Sequence, residues 1–437
     1  MKYFGTDGIR GVAFVNLTHK ICFGCGNALT KLIKRPIVVI GRDSRTSGEF
    51  FSLSTALGIM LGGGKVVDVG IIPTAGVSHL VTSLNADFGV VISASHNAPN
   101  YNGIKILNKF GTKIDQNQES FIEENLNNLF IEENEIGKLY TKHTLKKFYI
   151  DFLIKSSWMN LFNCKIVLDC CYGASCDVAP KVFKKLGAKV ITLHKVKDGK
   201  KINVGCGATN TKILSKAVVK YKADFGLAFD GDSDRLIAVD ENGKEVSGDK
   251  IIYIFAKYLH KKNKLKNNLV VGTLLTNLGI EQQLKKYGIN LIRSDVGDKN
   301  VANLMDKEGA ILGGEDAGHI IIKDFLPTGD GILSGIILSC ICKESKLPLS
   351  QLAQVELCPQ VVANIKTPQK DKIISDKKLL ILLKKLEKTY PNCMILVRKS
   401  GTEDVVRIMC QSNCQKQATQ IVSEVAKLIE QLKNQYE

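Results

Sequence analysis

Three observations predict an α/β protein of three similar α/β units followed by a smaller α+β part. An apolar strand leading into a helix and back to a strand recurs three times along the chain. Two of those rounds carry near-copies of one strand, ADFGVVI from Ala86 and ADFGLAF from Ala223, each breaking into a polar loop. Beyond residue 364 the sequence turns lysine-rich and then takes up a new order of helix, hairpin and helix.

The first round opens on KYFGTDGIRGV, residues 2–12, where three glycines and Arg10 offer open backbone amides and a guanidinium suited to a phosphate. A strand over 37–40, a helix over 48–61 and a strand over 65–69 follow, and the buried strand 88–92 then ends in Ser93, Ala94, Ser95, His96 and Asn97. The second round runs from a strand at 165–168 through a helix at 178–186 and a strand at 189–193 to ADFGLAFDGDSD. The third runs from a strand at 269–272 through a helix at 279–287 and a strand at 289–293 to GAILGGEDAGH. Open α/β sheets place their chemistry at the carboxyl ends of strands, so three such loops would face one cleft. Residues 364–378 read as a linker; helices follow over 379–390 and 418–432, the latter with Ile421, Val422, Val425, Leu428, Ile429 and Leu432 on one face. Strands at 394–397 and 405–409 flank RKSGTED.

Composition narrows the functional classes. With 437 residues, 44% of them hydrophobic, the chain can build several cores and is not a disordered polymer. Its long apolar run at 332–342 is too short to cross a bilayer, and residues 1–10 lack a signal peptide's apolar segment, so the expected location is cytoplasmic, with no membrane partner. Thirteen cysteines, an odd number set mostly in apolar segments, predict reduced core thiols, and the Cys22/Cys25 pair is assigned to packing. The net charge of +17 suits an anionic partner. Its lysines are scattered, with no aromatic-studded basic stripe, which reads as solvated surface and points away from nucleic acid.

Chemistry concentrates in three loops. Ser95 is a poor nucleophile unless a neighbour takes its proton or it carries a phosphoryl group, and His96 and Lys105 could manage that proton and charge; an ordinary turn with a capping serine fits SASHN as well. In FDGDSDR, Asp230, Asp232 and Asp234 alternate and, on an extended segment, would point to one side, where three carboxylates need a hard divalent cation. Oxygen-only ligands favour magnesium, and the absence of a glutamate at the twelfth position argues against an EF-hand. Arg398, Ser400, Gly401, Thr402 and Arg407 group two guanidiniums with two hydroxyls, as a phosphate site does, although a surface hairpin with incidental arginines is also open.

GTDGIRG, ISASHN, DGDSDR, GGEDAGH and RKSGTED stand in the order and spacing of the α-D-phosphohexomutase superfamily, and over its whole length the chain resembles the bacterial phosphoglucosamine mutases. The resemblance implies three similar mixed-sheet α/β domains and a smaller α+β domain around a central cleft, at 1–150, 151–252, 253–365 and 366–437. It implies an isomerase that converts glucosamine 6-phosphate to glucosamine 1-phosphate through a glucosamine 1,6-bisphosphate, toward UDP-N-acetylglucosamine and peptidoglycan, as a monomer or homodimer. Ser95 would carry the phosphoryl group and, with Asp230, Asp232 and Asp234, hold one Mg2+ per chain. Arg10, His96 and Lys105 would surround the phosphoserine, Glu315 bind sugar hydroxyls, His319 lie near the reacting centre, and Arg398, Ser400, Gly401, Thr402 and Arg407 hold the distal phosphate. A phosphomannomutase or phosphoglucomutase of the same superfamily, or a non-catalytic sugar-phosphate binder, are the alternatives. The chain departs from the family pattern in three places: Lys399 and Asp404 replace prolines in the phosphate loop, GDKNV at 297–301 replaces GDRYV, and Ala317 replaces a serine two residues from Glu315, where an extended backbone would turn both to one side.

Overall fold

The computed structural model describes residues 3–5, 7–133, 135–400 and 404–436, which fall into two compact units, one of 1–273 and 291–354 and one of 274–290 and 355–437. In the first unit, Ile37–Arg42 lies between the parallel strands Lys65–Ile71 and Phe88–Ile92. Tyr101–Asn108 then returns antiparallel beside Phe88–Ile92 and pairs in turn with Gly8–Val12. The same device recurs twice. Phe225–Phe229 runs parallel to Lys165–Asp169 and is followed by antiparallel Leu236–Asp240, and Leu312–Gly314 runs parallel to Leu269–Thr273 and is followed by antiparallel Ile320–Ile322. The three polar loops that end these rounds are therefore connections between a parallel strand and its antiparallel return. Phe88–Ile92 and Phe225–Phe229 are buried at every position, which is why they read as unbroken apolar runs.

Helices His19–Leu32 and Gly48–Leu61 pack backbone to backbone through glycine. A Cβ at Gly58 would lie 2.0 Å from the Phe23 carbonyl oxygen, and one at Gly26 2.2 Å from that of Thr55. Cys22 and Cys25 sit on the first of these helices and are fully buried, as core packing requires. The apolar run at 332–342 lies within helix Gly331–Ser345, buried from Gly331 to Ile341 and capped by Asp330, whose side chain accepts from the amides of Ile332 and Leu333. Among the described residues no helix is long and apolar enough to cross a membrane.

The second unit carries an antiparallel sheet in which Val405–Gln411 lies between Gln360–Lys366 and Met394–Lys399. Helix Gln415–Tyr436 buries Ile421, Val422, Val425, Ile429 and Leu432 in the same core as Val406, Ile408 and Cys410, while Leu428 is only half-buried. One expectation fails here. Residues 364–378 are not a linker: they hold the end of strand Gln360–Lys366 and the helix Lys370–Ile374. Val361, Ala363 and Ile365 alternate inward with exposed residues between them, so the strand's polar face and its lysines masked its period of two.

Candidate active site

Ser95 follows the buried strand Phe88–Ile92 and is held in the left-handed region, at φ 48. A side chain with a Cβ does not settle there unaided; neighbours must fix it. Its amide donates to Ser93 Oγ at 2.8 Å, and that hydroxyl donates to Asp43 Oδ2 at 2.6 Å. Arg45, fully buried, bonds Asp43 through Nε at 3.0 Å and donates to the carbonyl oxygens of Ser95 at 2.9 Å, Asn97 at 2.8 Å, Tyr101 at 2.8 Å and Ala98 at 2.5 Å. Asn203 Nδ2, from the second repeat, grips the Ser95 and Asn97 carbonyls at 2.8 and 2.9 Å. The sequence reading missed Asp43, Arg45 and Asn203. The signal for the first two was present in GRDSR, which ends the parallel neighbour strand Ile37–Arg42.

Three repeats then converge. Ser95 Oγ donates to Asp230 Oδ2 at 2.5 Å and stands 3.4 Å from His96 Nδ1. Asp230, Asp232 and Asp234 are all buried, with ligand oxygens within 4.8 Å of one another. They converge by a different geometry from the one expected: the segment is a turn, closed by the Ser233 amide on the Asp230 carbonyl at 3.1 Å with Ser233 at φ 62, and not an extended strand. Lys105 Nζ reaches Asp232 at 2.9 Å, Asp234 at 3.0 Å and Asp7 at 3.1 Å, and Thr74 Oγ1 donates to Asp232 Oδ2 at 2.6 Å. Burial, then the charges of Asp234 and Asp232, push Asp230 well above the usual carboxylate range. Burial acts the same way on Asp232 and Asp234, but Lys105 and hydrogen bonds from Thr74 and His319 outweigh it and hold both below that range. Burial also opposes charge on Lys105, and there Asp232 and Asp234 outweigh it, raising its pKa. Among the described residues, Asp232 Oδ1 and Asp234 Oδ1 are buried without a hydrogen-bond partner. Two orphaned carboxylate oxygens beside a third carboxylate and a serine hydroxyl fit a hard, oxygen-seeking cation such as magnesium.

Around this centre, Arg10 bonds Asn97 at 3.0 Å and pairs with Asp7. Burial, followed by Arg235 and Arg10, pushes the His96 imidazole down to about 4, so it is neutral at physiological pH. His319, from the third repeat, lies with Nδ1 3.8 Å from Asp234 and Nε2 3.7 Å from Asp298, and Nε2 accepts from the Gly329 amide at 3.2 Å. Asp298 and Lys113, both overlooked in the sequence, form an ion pair at 2.5 Å that extends to Asp7. Glu315 is half-buried and accepts from the Gly297 amide at 3.0 Å. The expectation that Glu315 and Ala317 share one side of an extended segment fails, because Gly318 N bonds Glu315 O at 2.9 Å and closes a turn that leaves Ala317 exposed.

Comparison with known proteins decides the family. The chain is 44% identical to a phosphoglucosamine mutase of Caldanaerobacter subterraneus subsp. tengcongensis, covering 99% of this chain and all of the relative. It is 42% identical to a phosphoglucosamine mutase of Clostridioides difficile, covering 98% and 99%. The chain belongs to the phosphoglucosamine mutase family. Phosphoglucomutase/phosphomannomutase alpha/beta/alpha domains I, II and III match residues 1–132, 138–243 and 247–358, and the family's C-terminal domain matches 362–428. The fold is that of a phosphoglucomutase/phosphomannomutase family protein from Burkholderia thailandensis, at TM-score 0.83, 23% identity and 97% of each chain. It is also that of an Aspergillus fumigatus N-acetylphosphoglucosamine mutase solved in complex with GlcNAc-6P and magnesium, at TM-score 0.71, 14% identity and 99% and 96% of the two chains.

Phosphoglucosamine mutases are isomerases that move a phosphoryl group, and in the second unit of this chain two arginines stand together. On the antiparallel pair Met394–Lys399 and Val405–Gln411, Arg398 lies directly opposite Arg407. Like charges so placed repel unless an anion joins them, and burial followed by Arg407 lowers the Arg398 pKa. Ser400 is buried, its amide bonded to the Val405 carbonyl at 2.8 Å. Gly401 and Thr402 lie outside the described residues. Two of the departures from the phosphohexomutase pattern are neutralised locally: Asp404 pairs with Lys370 at 3.3 Å, and Lys399 with Asp371 at 2.5 Å. In the GDKNV segment Lys299 pairs with Glu119 at 2.8 Å.

Proposed function

We propose that the protein converts glucosamine 6-phosphate to glucosamine 1-phosphate, with Ser95 as the phosphoryl carrier and a glucosamine 1,6-bisphosphate between the two half-reactions. The observation that carries this reading is Ser95 Oγ at 2.5 Å from Asp230, inside a buried three-aspartate cluster with two orphaned oxygens and Lys105 alongside. Asp230, Asp232 and Asp234, with an oxygen on Ser95, would hold one Mg2+ per chain. Bound there, the ion supplies positive charge to offset that of the phosphoryl oxygens.

The chain's own groups do the remaining work. Arg45 and Asn203 fix the backbone of Ser95, so the phosphorylated side chain meets the sugar without rearrangement. The sugar hydroxyl oxygen bonds to phosphorus as the bond from Ser95 Oγ breaks, the hydroxyl's proton being balanced by the one that the released Ser95 Oγ takes up, while Lys105 and Arg10 stabilise charge spreading over the equatorial oxygens. His96, neutral, keeps a hydrogen-bonding nitrogen near Ser95 without adding charge. Glu315 takes sugar hydroxyls and His319 flanks the reacting centre. Arg398, Ser400, Gly401, Thr402 and Arg407 bind the phosphate that is not reacting. Because that grip reads only a phosphate, it serves both orientations of the bisphosphate, and Ser95 reclaims the other phosphoryl group after the sugar turns. The proposal includes a four-domain division, drawn at 150, 252 and 365; four family models match in that order, at 1–132, 138–243, 247–358 and 362–428. It includes action in the cytoplasm on a small phosphosugar, as a monomer or homodimer. The deciding experiment compares turnover on glucosamine, glucose and mannose 6-phosphates, each with its own 1,6-bisphosphate. Preference for glucosamine supports the reading, and preference for either other sugar replaces it with a phosphoglucomutase or phosphomannomutase.

A further inference from the structure

A second cluster of potential ligands lies under the phosphoserine loop and has no part in the chemistry above. Asp169 ends the parallel strand Lys165–Asp169, His194 follows the neighbouring strand Lys189–Leu193, and Cys206 sits on the segment that carries Asn203. One ligand atom from each lies within 4.8 Å of the other two. Asp169 and Cys206 have no exposed surface, while His194 is half-buried with its ring 4.9 Å from that of Tyr172, which leaves a side open for access. The carboxylate is already oriented: Oδ1 accepts from the Cys171 amide and Oδ2 from the Gly207 amide, both at 3.0 Å, and His194 Nδ1 stands 2.8 Å from Oδ1. The two amide bonds are outer-sphere bonds of the kind that aims a metal ligand.

Cys171 flanks this set, its Sγ 3.9 Å from Cys206 Sγ. A disulfide would need the two sulfurs roughly 1.9 Å closer than they stand, so Cys206 keeps a free sulfur. Gly207, at φ +72, keeps the loop down on the Cys171 thiol, since a Cβ there would lie 2.4 Å from Cys171 Sγ and 2.5 Å from the Phe229 carbonyl oxygen. The donor set also contrasts with that of the three aspartates. Oxygen alone selects magnesium, while imidazole and thiolate sulfur select zinc and its relatives.

We propose that Asp169, His194 and Cys206 form a second metal site, for zinc or an ion of its class. Its position gives it a purpose. Cys206 lies three residues along the chain from Asn203, whose Nδ2 holds the carbonyls of Ser95 and Asn97 and whose Oδ1 accepts from the Cys171 thiol at 3.0 Å. An ion here ties the ends of two parallel strands to the strut that supports the phosphoserine backbone, so it positions that loop and touches no substrate.

The test uses cobalt(II) as the probe, added to the reduced full-length chain in excess Mg2+ so that the aspartate cluster is already filled. Only a sulfur-ligated ion gives the near-ultraviolet thiolate-to-cobalt charge-transfer band. The expected result is one such band per chain, abolished by one equivalent of zinc, absent in Cys206→Ser and reached only at tenfold or more higher cobalt in His194→Asn. The half-buried His194 makes the second variant informative even if Cys206→Ser does not fold. A wild-type chain without the band holds hydrogen-bonded thiols only, and that result overturns the proposal. A band that both variants keep overturns it equally.

Discussion

Arg45 directs one buried guanidinium to a carboxylate and four carbonyl oxygens, and through them it keeps Ser95 in a conformation the residue would not choose. Arg45→Met retains most of the volume but leaves Asp43 buried without its counter-charge. The expected cost is about 3 to 5 kcal/mol of stability, read from urea unfolding, together with a loss of turnover that exceeds any change in KM. A variant of near-native stability and rate would show that the loop holds its shape by other means. Asp330 offers a second test at this scale. Burial pushes its pKa up to about 6, against hydrogen bonds from the Leu333 amide and Tyr149 that favour its charge. A carboxyl with a raised folded pKa contributes stability below its unfolded pKa, and that contribution is lost as pH rises through about 6. Relative to Asp330→Asn, the wild type should therefore lose stability between about pH 4 and 6, by at most about 3 kcal/mol. A pH-independent difference between the two proteins contradicts the assignment.

Elements show what was legible and what was not. The wholly buried strands Phe88–Ile92 and Phe225–Phe229 and helix Gly48–Leu61 stood out because an unbroken apolar run or a whole helical face announces itself. Strand Gln360–Lys366 did not, since half its side chains face solvent and its lysines resemble a tether. Turns were harder still. Asp230 to Asp234 and Glu315 to Gly318 were both taken as extended, yet each closes on a backbone hydrogen bond, and neither φ 62 at Ser233 nor φ +91 at Gly318 is written in a period of two. Ser95, the three aspartates and Lys105 stand out in sequence because their chemistry is local, and the fold brings them together. Arg45, Asn203, Asp298 and Lys113 act across separations that only the fold closes, so they were missed. The helix pair His19–Leu32 and Gly48–Leu61 yields a prediction of its own. Gly58→Ala forces the backbones apart against the Phe23 carbonyl and should cost about 1 to 3 kcal/mol in the urea midpoint, while Ala at an exposed helical position should not. An unaffected midpoint would mean that the helices separate freely.

At the scale of the whole molecule, the account requires one reactive serine and one phosphate grip that accepts either end of a bisphosphate. Arg407→Ala should weaken the 6-phosphate and the 1-phosphate alike, by about tenfold to a hundredfold, because each loses one charge-assisted hydrogen bond. An effect confined to one isomer contradicts a shared grip. Removing the metal with a chelator should stop turnover, and Asp232→Asn should change its magnesium dependence, since Asp232 carries one of the two orphaned oxygens. The most direct measurement is intact mass of the purified chain before and after incubation with glucosamine 1,6-bisphosphate. The account predicts the mass of one added phosphate, removed by glucosamine 6-phosphate and absent, together with turnover, in Ser95→Ala. A phosphate that persists in Ser95→Ala, or full turnover by that variant, would contradict it.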